Sequence, residues 1–208
     1  REIRLKSSRP FLAETPTLFA QITQPKLKPV LAIPRHSSEN RKIIPFGLFN
    51  SEVKVHDSCM CIADATPYHF GILQSEMHMT WVRYTCGRIK SDFRYSKDIV
   101  YNNYPWPEAP SEKQKQAVEA AAQLVIDVRA QFPDSSLANL YDPNTMPPAL
   151  VKAHQQLDKA VDNCYRPQPF TSEAKRIEYL FELYEKYSSG LFVTEKASKR
   201  RNIKEKKE

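Results

Sequence analysis

Glycine is scarce here: Gly47, Gly71, Gly87 and Gly190 are the only four in 208 residues. Their wide separation excludes a glycine-rich phosphate loop, and with it P-loop and Rossmann-type cofactor sites. Neither H-E-x-x-H nor G-x-S-x-G occurs, which removes the zinc-peptidase helix and the nucleophile elbow. No apolar run reaches membrane-spanning length, and no signal-peptide pattern opens the chain, so no membrane partner is expected. The four cysteines lack the spacing of a disulfide framework, which suits a reducing cytoplasm. Cys59 and Cys61, with His56 nearby, suggest a metal site only weakly. The zinc spacing C-x2-C is missing and no second pair completes it, so small buried residues are the better reading.

Asp134, Glu173 and Lys175 are spaced like a metal-dependent nuclease core, "PD…EAK". Such a core needs its acids on adjoining strands, whereas these fall at a helix stop and a helix start, so coincidence is favoured. His154 lies on an apolar stripe and reads as a packed histidine. No catalytic, metal-binding or cofactor-binding residue is assigned.

What is present is an ordinary core-forming composition, 41% hydrophobic and 26% charged. The net charge of +7 is uneven. Residues 1–105 carry 15 Lys and Arg against 9 Asp and Glu, residues 106–188 carry 9 against 12, and residues 189–208 carry 7 against 3. A basic front half implies a polyanionic partner for that half alone. The first residue is Arg1 rather than Met, and a piece of a longer protein is expected.

The rhythm of the chain predicts an α+β protein: a mixed α/β domain over 1–105, a small all-helical domain over 106–188, and a basic, disordered tail over 189–208. Pro10 to Pro34 is punctuated by prolines and extended. "PVLAIP" and "KIIPFGLF" read as strands, joined by the polar "RHSSENRK", and "EVKVHDSCMCIAD" is another candidate. Ile72, Met79, Val82 and Cys86 predict one helix ending at Gly87. "NNYPWPEAP" marks a boundary. Beyond it Ser111 and Gln114 form a capping box ahead of a stripe of Val118, Ala121, Ala122, Val125, Val128 and Phe132. "SLANLY" is a short helix. Leu150, His154, Leu157, Val161 and Cys164 define the next stripe, and Ile177, Leu180, Phe181 and Tyr184 the last.

"CGRIKSDFRYSKD" alternates. As one strand, it puts Ile89, Ser91, Phe93 and Tyr95 on one side and Lys90, Asp92, Arg94 and Ser96 on the other. Lysine donates to guanine O6 and N7, and a carboxylate accepts from cytosine N4, so Lys90 with Asp92 complements a G·C pair in the major groove. The same row also describes a self-neutralising surface, and the pattern alone favours that. Arg35, Ser37, Ser38, Arg41 and Lys42 of "PRHSSENRK", with Arg88 and Arg94, are the types that hold phosphates or base edges. Trp81 and Trp106 read as core or seam residues.

Three segments together resemble the C-terminal third of the MmeI-like DNA methyltransferases: "IPRHSSENRKIIP", "ADATPYHFGILQSEMHMTWVRYTCGRIKSDFRYSKDIVYNNYPWP" and "FTSEAKRIEYLFELYEKYS". The resemblance implies a DNA target recognition domain to about Tyr104 and a helical C-terminal domain after it. It also points to Lys90 and Asp92 as base readers, which tips the row from surface to readout. In that family the S-adenosylmethionine loop and the Asn-Pro-Pro-Tyr motif lie upstream, and neither is found here. The fragment is therefore expected to be inert alone. Its expected partners are double-stranded DNA and an upstream methyltransferase domain carrying S-adenosylmethionine. A stand-alone specificity subunit acting in trans, or a protein-interaction module without DNA contact, are the alternatives.

Overall fold

Val30–Pro34 (β1) is the buried centre of an antiparallel sheet, flanked by Gly47–Phe49 (β3) and Cys59–Ala63 (β4). The computed structural model describes residues 5–6, 10–14 and 28–204, with side-chain surroundings up to Ser189. Most of the Pro-punctuated run ahead of β1, residues 15–27, lies outside the described residues. Alternation places Leu31, Ile33 and Met60 in the core. "KIIPFGLF" pairs only over its last residues, yet Ile43, Ile44 and Phe46 are buried without being strand.

His36–Ser37 (β2) leaves the first sheet and joins a second, ordered β2-β6-β5, with Gly87–Ile89 (β5) and Asp92–Arg94 (β6). Arg35 is the hinge between them. Its N–H donates to the Ser58 carbonyl at 3.0 Å, and its own carbonyl accepts from the Tyr95 N–H at 2.8 Å.

The single helix expected before Gly87 is two, Pro67–Leu73 (α1) and Glu76–Thr85 (α2). Thr66 caps the first, with Pro67 at its first position. Ser75 interrupts the helical ladder, because its hydroxyl caps α2 by accepting from the His78 N–H. The preceding Gln74 is wholly buried, and its amide donates to the Ile44 carbonyl at 2.6 Å. A π-helical turn, Lys97–Tyr101, follows β6.

The second half comprises Glu112–Ala130 (α3), Leu137–Leu140 (α4), Pro148–Tyr165 (α5) and Glu173–Lys204 (α6). The Ser111–Gln114 capping box forms as the sequence predicts. Val118, Ala122, Val125 and Val128 face inward, as does the whole α5 stripe. Phe181 and Tyr184 do not. They are 45% and 37% exposed, and Leu183 takes the inward place beside Ile177 and Leu180. Both rings instead lie against Trp81, with centroids 5.6 and 5.7 Å away. The backbone of α6 runs on to Lys204, past the expected end of the helical domain at residue 188. Its Glu, Lys, Ala and Arg content favours helix.

One hydrophobic core joins both halves, from Leu31 to Leu180. A Cβ on Gly71 would lie 2.7 Å from Val118 and 3.3 Å from Leu157, so glycine there lets α1 approach α3 and α5 closely. Arg129 of α3 reaches the other way. It donates to the Phe46 carbonyl at 2.7 Å, to Gln74 Oε1 and to the Tyr141 hydroxyl, which meets His154 Nε2 at 2.6 Å. The proline-rich boundary is also packed: Tyr104 is buried and its hydroxyl oxygen accepts a hydrogen bond from the Tyr165 hydroxyl at 2.7 Å. No described helix is long and apolar enough to cross a membrane.

Candidate nucleic-acid interface

The alternating run that reads as one strand is a hairpin. Ile89 pairs with Asp92, Arg88 with Phe93 and Gly87 with Arg94, leaving Lys90 and Ser91 as a two-residue loop. Lys90 has φ of +55°, and among the described residues Asp64 is the only other non-glycine with positive φ. Positive φ at the first loop position alone matches the II′ pattern, which favours glycine. A lysine there is strained and stands at the tip. Lys90 and Asp92 therefore do not share one strand face; they sit at the tip and at the start of the returning strand.

Pairing sorts the hairpin side chains by face. Phe93 and Tyr95 point inward, each 2% exposed. The Tyr95 hydroxyl meets His78 Nε2 at 3.0 Å, and burial pushes the His78 imidazole down to about 3, so it is neutral. Arg88, on the Phe93 face, lies with its guanidinium 3.9 Å from the ring centroid and donates to the Ser91 carbonyl at 2.8 Å. That locks Arg88 to the hairpin as a brace.

The opposite face carries Ile89, Asp92, Arg94 and His36, all exposed, with His36 of β2 directly opposite Arg94. The two segments singled out separately in the sequence thus meet as neighbouring strands of one sheet.

The loop after β2 divides its residues. Ser38 Oγ accepts from the Asn40 N–H at 3.3 Å, and the Ser38 carbonyl accepts from the Arg41 N–H at 3.2 Å. This turn presents the Glu39 N–H to Asp92 Oδ1 at 3.2 Å. One carboxylate oxygen is therefore held by the loop, and the other is left outward. Lys42 is exposed, and its carbonyl accepts from Arg83 at 3.0 Å. Arg35 is exposed, and its Nε donates to the Asp57 carbonyl at 2.8 Å.

Two expected contact residues turn away. Ser37 is 6% exposed, because its pairing with Phe93 puts it on the inward face. Arg41 reaches the Ala138 carbonyl of α4 at 3.4 Å, and its Nε is buried. Both line a cleft of about 290 Å³ between the first sheet and α4. Sequence reasoning missed Glu39, His36 and Ile89. A backbone N–H leaves no trace in composition, and strand alternation groups Ile89 with Phe93 and Tyr95, whereas the turn puts it on the face of Asp92.

No group of three or more His, Cys, Asp or Glu side chains is placed to hold a metal among the described residues. Asp134 is exposed, while the Glu173 carboxylate pairs with Arg83 at 3.4 Å. Burial pushes the Asp158 carboxyl up to about 7. Its Oδ1 accepts from the Glu76 N–H at 2.7 Å, which makes it a brace at the start of α2. His154 is buried against Tyr141 and lowered to about 3, chiefly by desolvation.

An exposed hairpin of donors and an acceptor, braced from behind by a shared core, is the build of a recognition module. Residues 1–108 match the family model of the MmeI target recognition domain, and residues 110–192 match that of the MmeI C-terminal domain. The chain belongs to this MmeI family. It is 41% identical over 174 residues to "DNA methyltransferase A" of Bacillus subtilis (strain 168), covering 84% of this chain and 20% of that protein. It also superposes on a solved structure of the type IIL restriction–modification enzyme MmeI in complex with DNA. There the TM-score is 0.79 and the identity 46%, over 90% of this chain and 25% of the other. The chain spans a fifth to a quarter of these relatives.

Proposed function

We propose that this chain reads a specific sequence in double-stranded DNA, with the β5–β6 hairpin and the 38–42 loop entering the major groove. The observation that carries the reading is the pairing of β2 with β6. It sets the Glu39 loop beside the hairpin that carries Lys90, Asp92 and Arg94. Lys90 donates to guanine O6 or N7, and the free oxygen of Asp92 accepts from cytosine N4. Arg35, Ser38, Lys42 and Arg94 hold phosphates or flanking edges and set the register.

The relatives support a wider assignment. The module serves a cytoplasmic site-specific DNA adenine-N6 methyltransferase of a restriction–modification system. Firm duplex binding supports extrusion of the target adenine, which costs a few kcal/mol of unstacking. Among the described residues no glycine loop fits the methyl donor S-adenosylmethionine. Gly47 lies under Phe49, Gly71 is packed on α3, and Gly87 is in β5, so none shapes a nucleotide loop. The donor and the catalytic residues belong to another part of the polypeptide.

Selection of bound duplexes from a randomised library tests the reading, with the native chain beside Lys90→Glu/Asp92→Arg. One motif is expected, with one G·C position altered by the double substitution. Unselective binding by both proteins, or none at low salt, overturns it.

A further inference from the structure

Ile89 is an exposed apolar side chain in the middle of the polar ridge. It is 44% exposed and stands directly opposite Asp92 across the hairpin. Single exposed aliphatic residues are common and ordinarily need no explanation. What distinguishes Ile89 is its company: Lys90 follows it at the tip, Asp92 faces it, and Arg94 and His36 continue the same face. Any duplex edge that Asp92 reaches is within reach of Ile89 as well. Directly opposed side chains have Cβ atoms about 5 Å apart, while successive base pairs rise about 3.4 Å. The one apolar group that a natural base pair offers in the major groove is the C5-methyl of thymine.

We infer that Ile89 is a third base reader, which packs on the methyl group of a thymine in a pair next to the G·C pair read by Asp92. This rests on the DNA reading proposed above and extends it from hydrogen-bond matching to apolar matching. The hairpin suits such a role. Phe93 and Tyr95 anchor its other face, Arg88 is stacked behind it, and Asp92 is fixed by the Glu39 N–H. The approach of Ile89 is thereby set before DNA arrives, and little side-chain freedom remains to be lost on binding.

Deoxyuridine differs from thymidine only by that methyl group. The experiment takes the duplex selected by the native chain, replaces its thymines by deoxyuridine one at a time, and measures Kd for the native chain and for Ile89→Ala. One replacement, in a pair beside the position altered by Lys90→Glu/Asp92→Arg, should weaken native binding about fourfold, the worth of one buried methyl group. Ile89→Ala should bind the thymine and uracil duplexes equally while melting at the native temperature, since the side chain contributes little to the core. The inference is overturned if the native chain tolerates uracil at every position. It is also overturned if Ile89→Ala keeps the fourfold difference, or if the selected site has no thymine within one pair of the altered position. Absence of any selected site overturns the DNA reading itself, and this inference with it.

Discussion

Arg129 is the side chain whose loss should most clearly separate a shared core from two merely adjacent domains. It comes from α3 in the helical half and donates to Phe46 and Gln74 in the front half, and to Tyr141 in its own half. Its guanidinium also lies 5.1 Å from the Phe70 ring centroid and 4.8 Å from that of Tyr141. Arg129→Met keeps much of the stem volume but leaves three acceptors without their donor. Leaving one buried acceptor unsatisfied costs about 1–3 kcal/mol, so three of them, offset by release of a buried cation, cost on the order of 3–5 kcal/mol, against a total stability on the order of 5–15 kcal/mol. For a chain of this size each kcal/mol moves Tm by roughly 2–4 °C, so a fall of about 10 °C is expected. Arg129→Lys retains the charge but is a point donor unable to span the acceptors, and should lose about half as much. Thermal unfolding followed by circular dichroism reads both. A fall below about 3 °C for the methionine variant, or native stability for the lysine variant, would refute the network as the seam.

Lys90→Gly should relieve the strain of φ +55° and raise stability by roughly 0.5 kcal/mol after the entropy of glycine is subtracted. It should also weaken discrimination at the G·C position in the duplex selection; loss of stability would contradict the strained-tip reading. Glu39→Pro removes the N–H that holds Asp92, whereas Glu39→Ala keeps it. The proline variant should lose about fivefold in preference at that position, and an equal loss in the alanine variant would assign the effect to the Glu39 side chain. For pH, His78 and His154 are held neutral, with pKa values of about 3. The unfolded chain takes up protons below about 6.5 that the folded chain refuses, so stability falls on acidification. Asp158, raised to about 7, keeps a proton that the unfolded chain releases above about 4, which offsets one histidine. The net loss of these three groups between pH 6 and 4.5 is ~1.4 kcal/mol per pH unit. Asp158→Asn, which still accepts from Glu76, should double that slope in urea midpoints, and an unchanged slope would overturn the assignment.

The helices of the second half were legible because their determinants are local. Ser111 and Gln114 are three residues apart, and the α5 stripe from Leu150 to Cys164 repeats every three or four residues, so neighbours along the chain settle both. The inward pair Phe93 and Tyr95 was readable for the same reason, through alternation over two residues. The resemblance to the MmeI-like enzymes could be drawn from sequence as well, since it needs residue identities and no coordinates.

The rest required tertiary structure. A hairpin loop built on Lys90 and Ser91 lacks the Asn-Gly or Gly-X signature that announces such turns, so the run reads as one strand with Ile89 on the side of Phe93 and Tyr95. Ser37 turned inward because β2 pairs with β6, from a segment more than 50 residues away. Phe181 and Tyr184 lie over the buried Trp81 of another helix and stay part-exposed, while Leu183 takes the inward place. In each case a distant partner decided which face of a residue meets water. A sequence window sees the periodicity of one element, while exposure is set by what that element packs against.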